Sequence, residues 1–355
     1  MASHWMIYGA NGYTGRLVAE QAQREGLTPL LGGRNPAALH ALGSQLGLEC
    51  RVFDLGDPQA CREALDQVKV VAHCAGPFSA TSTPMIAACR AAGTHYVDIT
   101  GEIAVFEQAH AGDAEAREAG IVVCPGVGFD VIPTDCLAAC LKEALPDAQR
   151  LALGFDTGSG LSTGTAKTSV EGLKFGGKIR ENGRLRDVPL GYKRRDIDFG
   201  RGLRHAVTIP WGDVATAYYS TGIPDIEVYL PAPPLLALGM RLIDPLRPLL
   251  GRQRVQDWLK GQVDKRIAGP DQAARERLRT WVWGEARNAR GERRTARLET
   301  ANVYDLTLHG VLLAVRHLLD YQGPGGYFTP SRLLGARCVE SLPGSGRITV
   351  IGCSA

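Results

Sequence analysis

The sequence lacks a strong net charge, because 40 Lys and Arg residues face 37 Asp and Glu residues and leave a formal charge of +3. A protein that mainly binds nucleic acid needs a basic field of one sign to meet phosphate backbones, so this balance argues against that class. The chain also lacks the composition of a disordered protein, since hydrophobic residues make up 45% and charged residues 22%. With 355 residues and about 150 per domain, we expect two globular domains.

The nine cysteines include no CxxC pair and form no dense framework, which favours reduced thiols and a cytoplasmic protein. No cluster of His, Cys and Asp has metal-ligand spacing, so we expect no metal. Residues 1–6 lack the basic and apolar regions of a secretory signal. The apolar stretch 233–250 is interrupted by Arg241, Asp244 and Arg247, which is unlike an ordinary membrane-spanning helix.

A glycine turn follows the apolar run Trp5–Tyr8 and precedes a helix-like stretch, residues 16–24. The turn consists of Gly9, Ala10, Asn11, Gly12, Tyr13, Thr14 and Gly15. Glycines at these spacings let a pyrophosphate approach the backbone amides and the positive end of a helix dipole. Apolar runs and helix-like segments then alternate up to residue 124, which predicts an α/β fold with a Rossmann-type doubly wound parallel sheet.

The end of the second predicted strand indicates which dinucleotide is bound. No Asp or Glu occurs between Leu27 and Pro36, where an acidic residue would bind the ribose hydroxyls of NAD. Arg34 offers instead a guanidinium for the 2′-phosphate of NADP, and Asn35 belongs to the same predicted contact. Asp54, after the third strand, is placed either to meet the adenine amine or to cap the helix near Pro58.

The loop after the fourth strand contains Cys74, Ala75, Gly76 and Pro77, whose small size lets the backbone approach the nicotinamide end of the cofactor. His73 and Cys74 invite a catalytic interpretation. A cysteine that closes an apolar strand is more often part of the core, and we expect packing roles for both.

Several strings in a fixed order resemble the saccharopine dehydrogenase-like oxidoreductases, and among them the branch of trans-acting enoyl reductases. They comprise residues 9–15, 74–78, 91–102, 125–135, 164–169, 210–213, 220–224 and 326–330. The resemblance implies an NADP-binding Rossmann domain, a second α+β domain and hydride transfer to an unsaturated bond. It also implies that the helix-like segment 304–319 returns to the first domain. The sequence departs from the saccharopine-forming enzymes in showing no arginine cluster for a dicarboxylic substrate, since Arg194 and Arg195 lie in a run typical of a surface turn.

The change of pattern near residue 130 and the resemblance together define the expected domains. Residues 1–130, completed by 310–355, form the NADP-binding domain, and residues 131–309 form a mixed α+β domain for substrate and oligomerisation. Within the second domain, Lys167 and Tyr219 are candidate proton donors by residue type, and Asp213 is a candidate pocket residue, as is Asp130 before it. Ser162 and Thr163 suit either a helix cap or the developing oxyanion of an enolate.

The function expected from these features is an NADPH-dependent reduction of an activated C=C bond in an enoyl, polyketide or lipid-like substrate. Imine reduction of the saccharopine dehydrogenase type and a non-catalytic NADP-binding partner or sensor remain alternatives. The expected partners are a small-molecule or acyl substrate and a second copy in a homodimer. Residues 233–250 suit a lid, a subunit interface, a peripheral membrane contact or core packing.

Overall fold

The computed structural model describes residues 4–157, 170, 172, 175–266 and 278–353. The chain divides into two compact units. The first unit consists of Met1–Cys136 and Val303–Pro343, and the second consists of Leu137–Asn302 and Gly344–Ala355. The chain therefore leaves the first unit, builds most of the second, returns, and then ends in the second.

The first unit is built on a parallel sheet of seven strands in the order β15-β6-β5-β4-β1-β2-β3. The strands are β1 (His4–Tyr8), β2 (Leu30–Gly33), β3 (Cys50–Val52), β4 (Val68–His73), β5 (His95–Asp98), β6 (Val122–Cys124) and β15 (Gly326–Tyr327). Strand β1 pairs in parallel with both β2 and β4, so the order reverses between β1 and β4. Ligands of such sheets bind beyond the carboxyl ends of the strands at this reversal.

Helices connect these strands, and the chain that returns at residue 303 adds two more. They are α1 (Tyr13–Arg24), α2 (Pro36–Leu46), α3 (Pro58–Ala64), α4 (Phe78–Ala92), α5 (Ile103–Ala111), α6 (Asp113–Glu118), α12 (Val303–Leu319) and α13 (Pro330–Leu334). Helix α7 (Ile132–Ala144) begins in the first unit and belongs to the second from Leu137 onward. Every residue of β2, β5 and β6 is buried, as expected for parallel strands covered on both faces. The structure confirms the predicted doubly wound α/β fold.

The second unit is a mixed sheet of nine strands with the main order β10-β11-β12-β7-β13-β14-β16, and β8 and β9 attached beside β12. The strands are β7 (Arg150–Asp156), β8 (Gly177–Glu181), β9 (Arg184–Val188), β10 (Arg194–Asp198), β11 (Leu203–Thr208), β12 (Asp225–Pro231), β13 (Arg279–Arg287), β14 (Arg293–Ala301) and β16 (Thr349–Cys353). Its helices are α8 (Asp213–Thr221), α9 (Pro234–Ile243), α10 (Arg247–Leu250) and α11 (Gln253–Arg266). Short 3₁₀ turns occupy Asp244–Leu246 here and Cys338–Ser341 in the first unit.

The two faces of the second sheet are covered differently. A Cβ on Gly284 of β13 would lie 2.8 Å from Leu141 Cδ1 of α7, so this helix packs directly on the strand backbone. The neighbouring residue Trp283 points to the opposite face and joins a buried cluster with Phe199 and Tyr229. Strand β13 thus presents a glycine to helix α7 on one face and a tryptophan to an aromatic cluster on the other face.

Two parts of the second half differ from the sequence-based expectations. Residues 344–355 lie in the second unit and not with the first domain, because β16 pairs antiparallel with β14. Arg194 and Arg195 lie in strand β10 instead of a surface turn, since they pair with Val207 and Ala206 of β11. Lys167, Ser162 and Thr163 lie outside the described residues.

The apolar stretch 233–250 contains α9, a 3₁₀ turn and α10. Ala237 is buried, whereas Leu235 is 83% exposed and Leu236 is 58% exposed. Within the described parts of the chain, no helix has both the length and the hydropathy required to cross a membrane. Core packing therefore accounts for only part of this stretch.

Candidate functional site

The glycine turn at the carboxyl end of β1 brings strand and helix backbones into direct contact. Gly9 has a φ of +81°, and its N–H donates to Gly32 O of β2 at 2.8 Å. A Cβ on Gly15 would lie 2.3 Å from Gly9 O, and a Cβ on Gly9 would lie 2.8 Å from the backbone nitrogen of Ala75. Only glycine permits this spacing, which leaves the backbone beside the turn open to a bulky anion.

The beginning of helix α1 is suited to bind the pyrophosphate. Its N-cap residue Gly12 provides no side-chain cap, and the first turn, with Tyr13 and Thr14, contains no acidic residue. The positive end of the helix dipole is therefore not neutralised by a carboxylate of this helix. Asn11, from the same turn, lies beside β2, since a Cβ on Gly33 would be 3.0 Å from Asn11 Oδ1.

The other early helices have their N-termini occupied by side chains. Asn35 Oδ1 accepts a hydrogen bond from the N–H of Ala38 in α2, and Asp57 Oδ1 accepts from the N–H groups of α3. In α4, the N–H groups of Phe78 and Ser79 donate to the Glu102 carboxylate at 2.8 and 2.9 Å. Among these four helices, α1 is the one whose N-terminus suits a phosphate group.

Arg34 and Asp54 lie together beyond the ends of β2 and β3. The Arg34 side chain is 72% exposed, and its Nη1 is 4.0 Å from Asp54 Oδ2. Asp54 Oδ1 accepts a hydrogen bond from Gly56 N at 2.8 Å, while Asp57 caps α3. The alternative in which Asp54 caps that helix is therefore wrong, and Asp54 stays a candidate for binding the adenosine part of the cofactor.

The loop after β4 is anchored from both sides. The N–H of Cys74 donates to Tyr8 O at 2.8 Å, and the Thr81 hydroxyl donates to Ala75 O at 2.7 Å. His73 Nε2 lies 2.9 Å from the same Thr81 hydroxyl. These contacts fix the backbone of residues 74–77 next to the glycine turn, and their contact with the nicotinamide end stays a prediction.

Burial gives His73 and Cys74 properties that do not suit proton transfer at neutral pH. Burial lowers the pKa of His73 to about 3 and, with a smaller effect of Asp98, raises the pKa of Cys74 to about 12. The imidazole therefore stays neutral and the thiol stays protonated. This supports packing roles for the two residues.

Two carboxyl groups with raised pKa values lie at the ends of β5 and β6. Asp98 is fully buried, and accepts hydrogen bonds from Tyr96 OH, Thr100 N and Gly126 N at 2.6, 2.9 and 2.8 Å. Burial outweighs these bonds and raises the pKa of Asp98 to about 6. No sequence-based prediction included this residue, although an aspartate that ends the apolar strand β5 is a usable signal.

Asp130 lies in the loop between β6 and α7. A Cβ on Gly101 would be 2.7 Å from Asp130 Oδ2, so the carboxyl group rests against the loop that follows β5. Burial raises the pKa of Asp130 to about 7. A carboxylic acid that is still half protonated at neutral pH is a chemically competent proton donor.

Two of the predicted groups of the second unit, Asp213 and Tyr219, lie on one helix. Asp213 begins α8 and is fully buried, and Tyr219 lies near the other end of that helix. The Arg180 guanidinium is 5.6 Å from the Tyr219 ring and 4.3 Å from the ring of Tyr218. Across the described residues, no group of three or more His, Cys, Asp or Glu side chains is arranged to hold a metal ion.

Comparisons with known proteins identify the cofactor domain of this chain. Residues 5–124 match the family model of the saccharopine dehydrogenase NADP binding domain. A saccharopine dehydrogenase-like oxidoreductase of Mus musculus is 28% identical over 53% of this chain and 50% of its own length. A trans-acting enoyl reductase of Mycobacterium ulcerans is 32% identical over 37% of this chain and 33% of its own. The chain thus spans about half the length, or less, of these curated relatives.

A solved structure shares the fold. Saccharopine dehydrogenase (L-Glu forming) from Saccharomyces cerevisiae aligns with a TM-score of 0.67 at 13% identity, over 99% of this chain and 100% of its own. The family match over residues 5–124 confirms the predicted NADP-binding domain and its cofactor, and the solved structure confirms the fold.

The first prediction concerns the 2′-phosphate. Replacing Arg34→Ala should weaken NADPH binding by about tenfold to a hundredfold while leaving NADH binding nearly unchanged, because a hydrogen bond to a charged group contributes roughly 1.5–3 kcal/mol. Fluorescence titration of both cofactors measures the effect, with Arg24→Ala, an exposed arginine of α1, as the matched control. An unchanged preference for NADPH in the Arg34 variant would remove this residue from the site.

The second prediction concerns the close approach at the glycine turn. Gly15→Ala should weaken NADPH binding at least about tenfold, because the new Cβ displaces α1 from the turn and its amides from the phosphates. Gly112→Ala is the control, since the nearest atom to a Cβ there is 3.6 Å away. Equal NADPH affinity in the two folded variants, checked by thermal unfolding, would contradict the assignment.

Proposed function

We propose that this chain, whose residues 5–124 match the saccharopine dehydrogenase NADP binding domain, is an NADPH-dependent oxidoreductase that reduces the activated C=C bond of an enoyl, polyketide or related lipid-like substrate. The observation that carries the cofactor half of the proposal is the α1 N-terminus beside the glycine turn, with Arg34 at the end of β2. The substrate half rests on the likeness to a relative named trans-acting enoyl reductase.

NADPH, when bound, supplies the hydride. The chain's own residues would hold the cofactor through the amides of residues 9–15 and the Arg34 guanidinium, and the loop 74–77 would limit the space beside the nicotinamide. After hydride transfer to the β-carbon of an enoyl group, the resulting enolate needs a proton at the α-carbon. Asp130, with a pKa of about 7, is our candidate donor from the first unit. Tyr219, Asp213 and Lys167 remain candidates from the sequence.

The arginines of β10 favour C=C over C=N reduction. An imine made from a dicarboxylic amino acid would require arginines that can bind carboxylates. Arg195 instead binds the Glu285 carboxylate with both Nη atoms at 3.2–3.3 Å and stacks 4.8 Å from the Trp283 ring. Since this guanidinium is already paired, it offers little to an acidic substrate, which supports the enoyl proposal.

The exposed leucines within residues 233–250 favour contact between this stretch and an apolar surface of another molecule or of a membrane. Leu235, Leu236 and Leu249 are each more than half exposed. A homodimer interface and a peripheral membrane contact both fit an exposed apolar helix face. A non-catalytic NADP-binding partner would use the same surface while consuming no cofactor.

The third prediction tests turnover. The protein should oxidise NADPH, followed at the nicotinamide absorbance, with enoyl thioesters or enones, and should remain inactive with amine and keto-acid pairs. The opposite preference would replace the proposal with imine reduction. Tight NADPH binding without turnover on any member of the panel would favour the non-catalytic alternative.

The fourth prediction concerns Asp130. If its carboxylic acid delivers the proton, kcat/KM should fall as the pH rises through about 7, because the donor loses its proton there. Asp130→Asn should lower kcat by about a hundredfold to ten-thousandfold and remove this limb of the pH profile. The exposed Glu118→Gln is the control.

Stability supplies a second measurement on Asp130. Because its pKa is raised from 3.8 to about 7, the folded state binds more protons than the unfolded state between these values, so the free energy of unfolding decreases as the pH rises. Asp130→Asn should therefore raise the free energy of unfolding, relative to the wild-type protein, more at pH 8 than at pH 5. A stability difference without a change in the kinetic pH profile would limit Asp130 to a structural role.

A further inference from the structure

Two thiols of the first unit lie in contact although they are far apart in sequence. Cys136 is on α7 and Cys338 begins the 3₁₀ turn Cys338–Ser341, and their Sγ atoms are 3.5 Å apart. A disulfide has a sulfur–sulfur distance of about 2.05 Å, so the two atoms need to approach by only about 1.5 Å. Neither residue contributes to the cofactor site described above.

Polar contacts hold this turn and the helix before it against α7. The Asp135 carboxylate accepts a hydrogen bond from Ser331 N of α13 at 2.8 Å. The N–H of Val339, next to Cys338, donates to the Cys136 sulfur. The two thiols are therefore held together by contacts on either side of them.

The surroundings of the two thiols differ. Cys136 is completely buried, whereas Cys338 is partly exposed. The hydrogen bond with Cys338, and then burial, raise the pKa of the Cys136 thiol. Oxidants dissolved in water therefore reach Cys338 first, and Cys136 stays protonated behind it.

We propose that Cys136 and Cys338 form a redox-sensitive pair that a peroxide converts into a disulfide. The peroxide ROOH transfers one oxygen to the Cys338 sulfur, which gives a sulfenic acid and releases ROH. The Cys136 sulfur then attacks the Cys338 sulfur, the S–O bond breaks, and water leaves with the Cys136 proton. Two thiols are oxidised and one peroxide is reduced.

Other cysteines of the first unit are placed differently. The Cys50 thiol donates to Leu39 O at 3.3 Å, and the Cys61 thiol donates to Asp54 O at 3.4 Å. Both sulfurs thus have backbone partners, and oxidation is expected to join Cys136 to Cys338 in preference to them. The new bond would close the chain between residues 136 and 338, a span that contains Leu137–Asn302 of the second unit.

The experiment uses the full chain, reduced and then treated with a few equivalents of hydrogen peroxide. Thiols are alkylated with N-ethylmaleimide under denaturing conditions and counted by intact mass. The reduced protein has nine cysteines to label, and the oxidised protein should take two labels fewer. Digestion without reduction should yield the Cys136 peptide linked to the Cys338 peptide.

Matched variants complete the test. Cys338→Ser should keep all its remaining thiols after peroxide, whereas Cys50→Ser, which removes another partly exposed cysteine, should still form the link. The oxidised wild type should unfold at a higher temperature than the reduced protein, because the bond closes a very long loop, and Cys338→Ser should show no such shift. A full count of labels after peroxide, a link between other cysteines, or sulfinic acid at Cys338 with Cys136 still labelled would each overturn the proposal.

Discussion

The arrangement of the first unit depends on the contact between the carbonyl of Gly9 and the backbone of helix α1 at Gly15. With 2.3 Å between that oxygen and the position of a Cβ on Gly15, any side chain would force the helix away from the strand. The same turn approaches the loop after β4 at Ala75. The carboxyl ends of strands β1 and β4 therefore meet where the strand order reverses. Binding of a cofactor phosphate would require accessible backbone N–H groups at this place, and the absence of side chains on the glycines leaves them accessible.

Side-chain carboxylates already occupy the N-termini of helices α3 and α4. Glu102 binds the first N–H groups of α4, and Asp57 those of α3, so a further anion at either end would meet a negative charge. Asp98 binds Thr100 N and Gly126 N, and thereby holds the loops after β5 and β6 together. The acidic residues of this edge thus organise the loops after β5 and β6 and the start of α4, while α1 remains the favourable position for a pyrophosphate.

The parts of the fold that the sequence predicted are those with a local physical signature. Strands β1, β2, β4, β5 and β6 are short and largely buried runs between helices, and the spacing of its glycines marks the turn after β1, so the doubly wound sheet and its cofactor were predictable. Strands β8, β9 and β10 carry many charged residues and are set by cross-strand pairing, which leaves no clear apolar pattern; this is why Arg194 and Arg195 resembled a turn. The position of Asp98 at the end of β5 can be read from the sequence. Its hydrogen bond from Gly126 N cannot, because it joins two loops that are distant in sequence and belongs to no motif.

Each of the two units consists of two segments of the chain, which explains why the domain bounds expected from the sequence are incomplete. Helix α12 packs against α1 and β4, and nine of its residues, among them Leu306 and Leu318, are buried. The first unit therefore needs residues that follow most of the second unit in sequence. Strand β16 in turn completes the edge of the second sheet beside β14. Each unit includes a segment from beyond the other, so the apolar surface of neither is fully covered by one continuous stretch of chain. Long-range pairing of this kind is decided by tertiary packing between segments distant in sequence, so a local sequence pattern does not predict it.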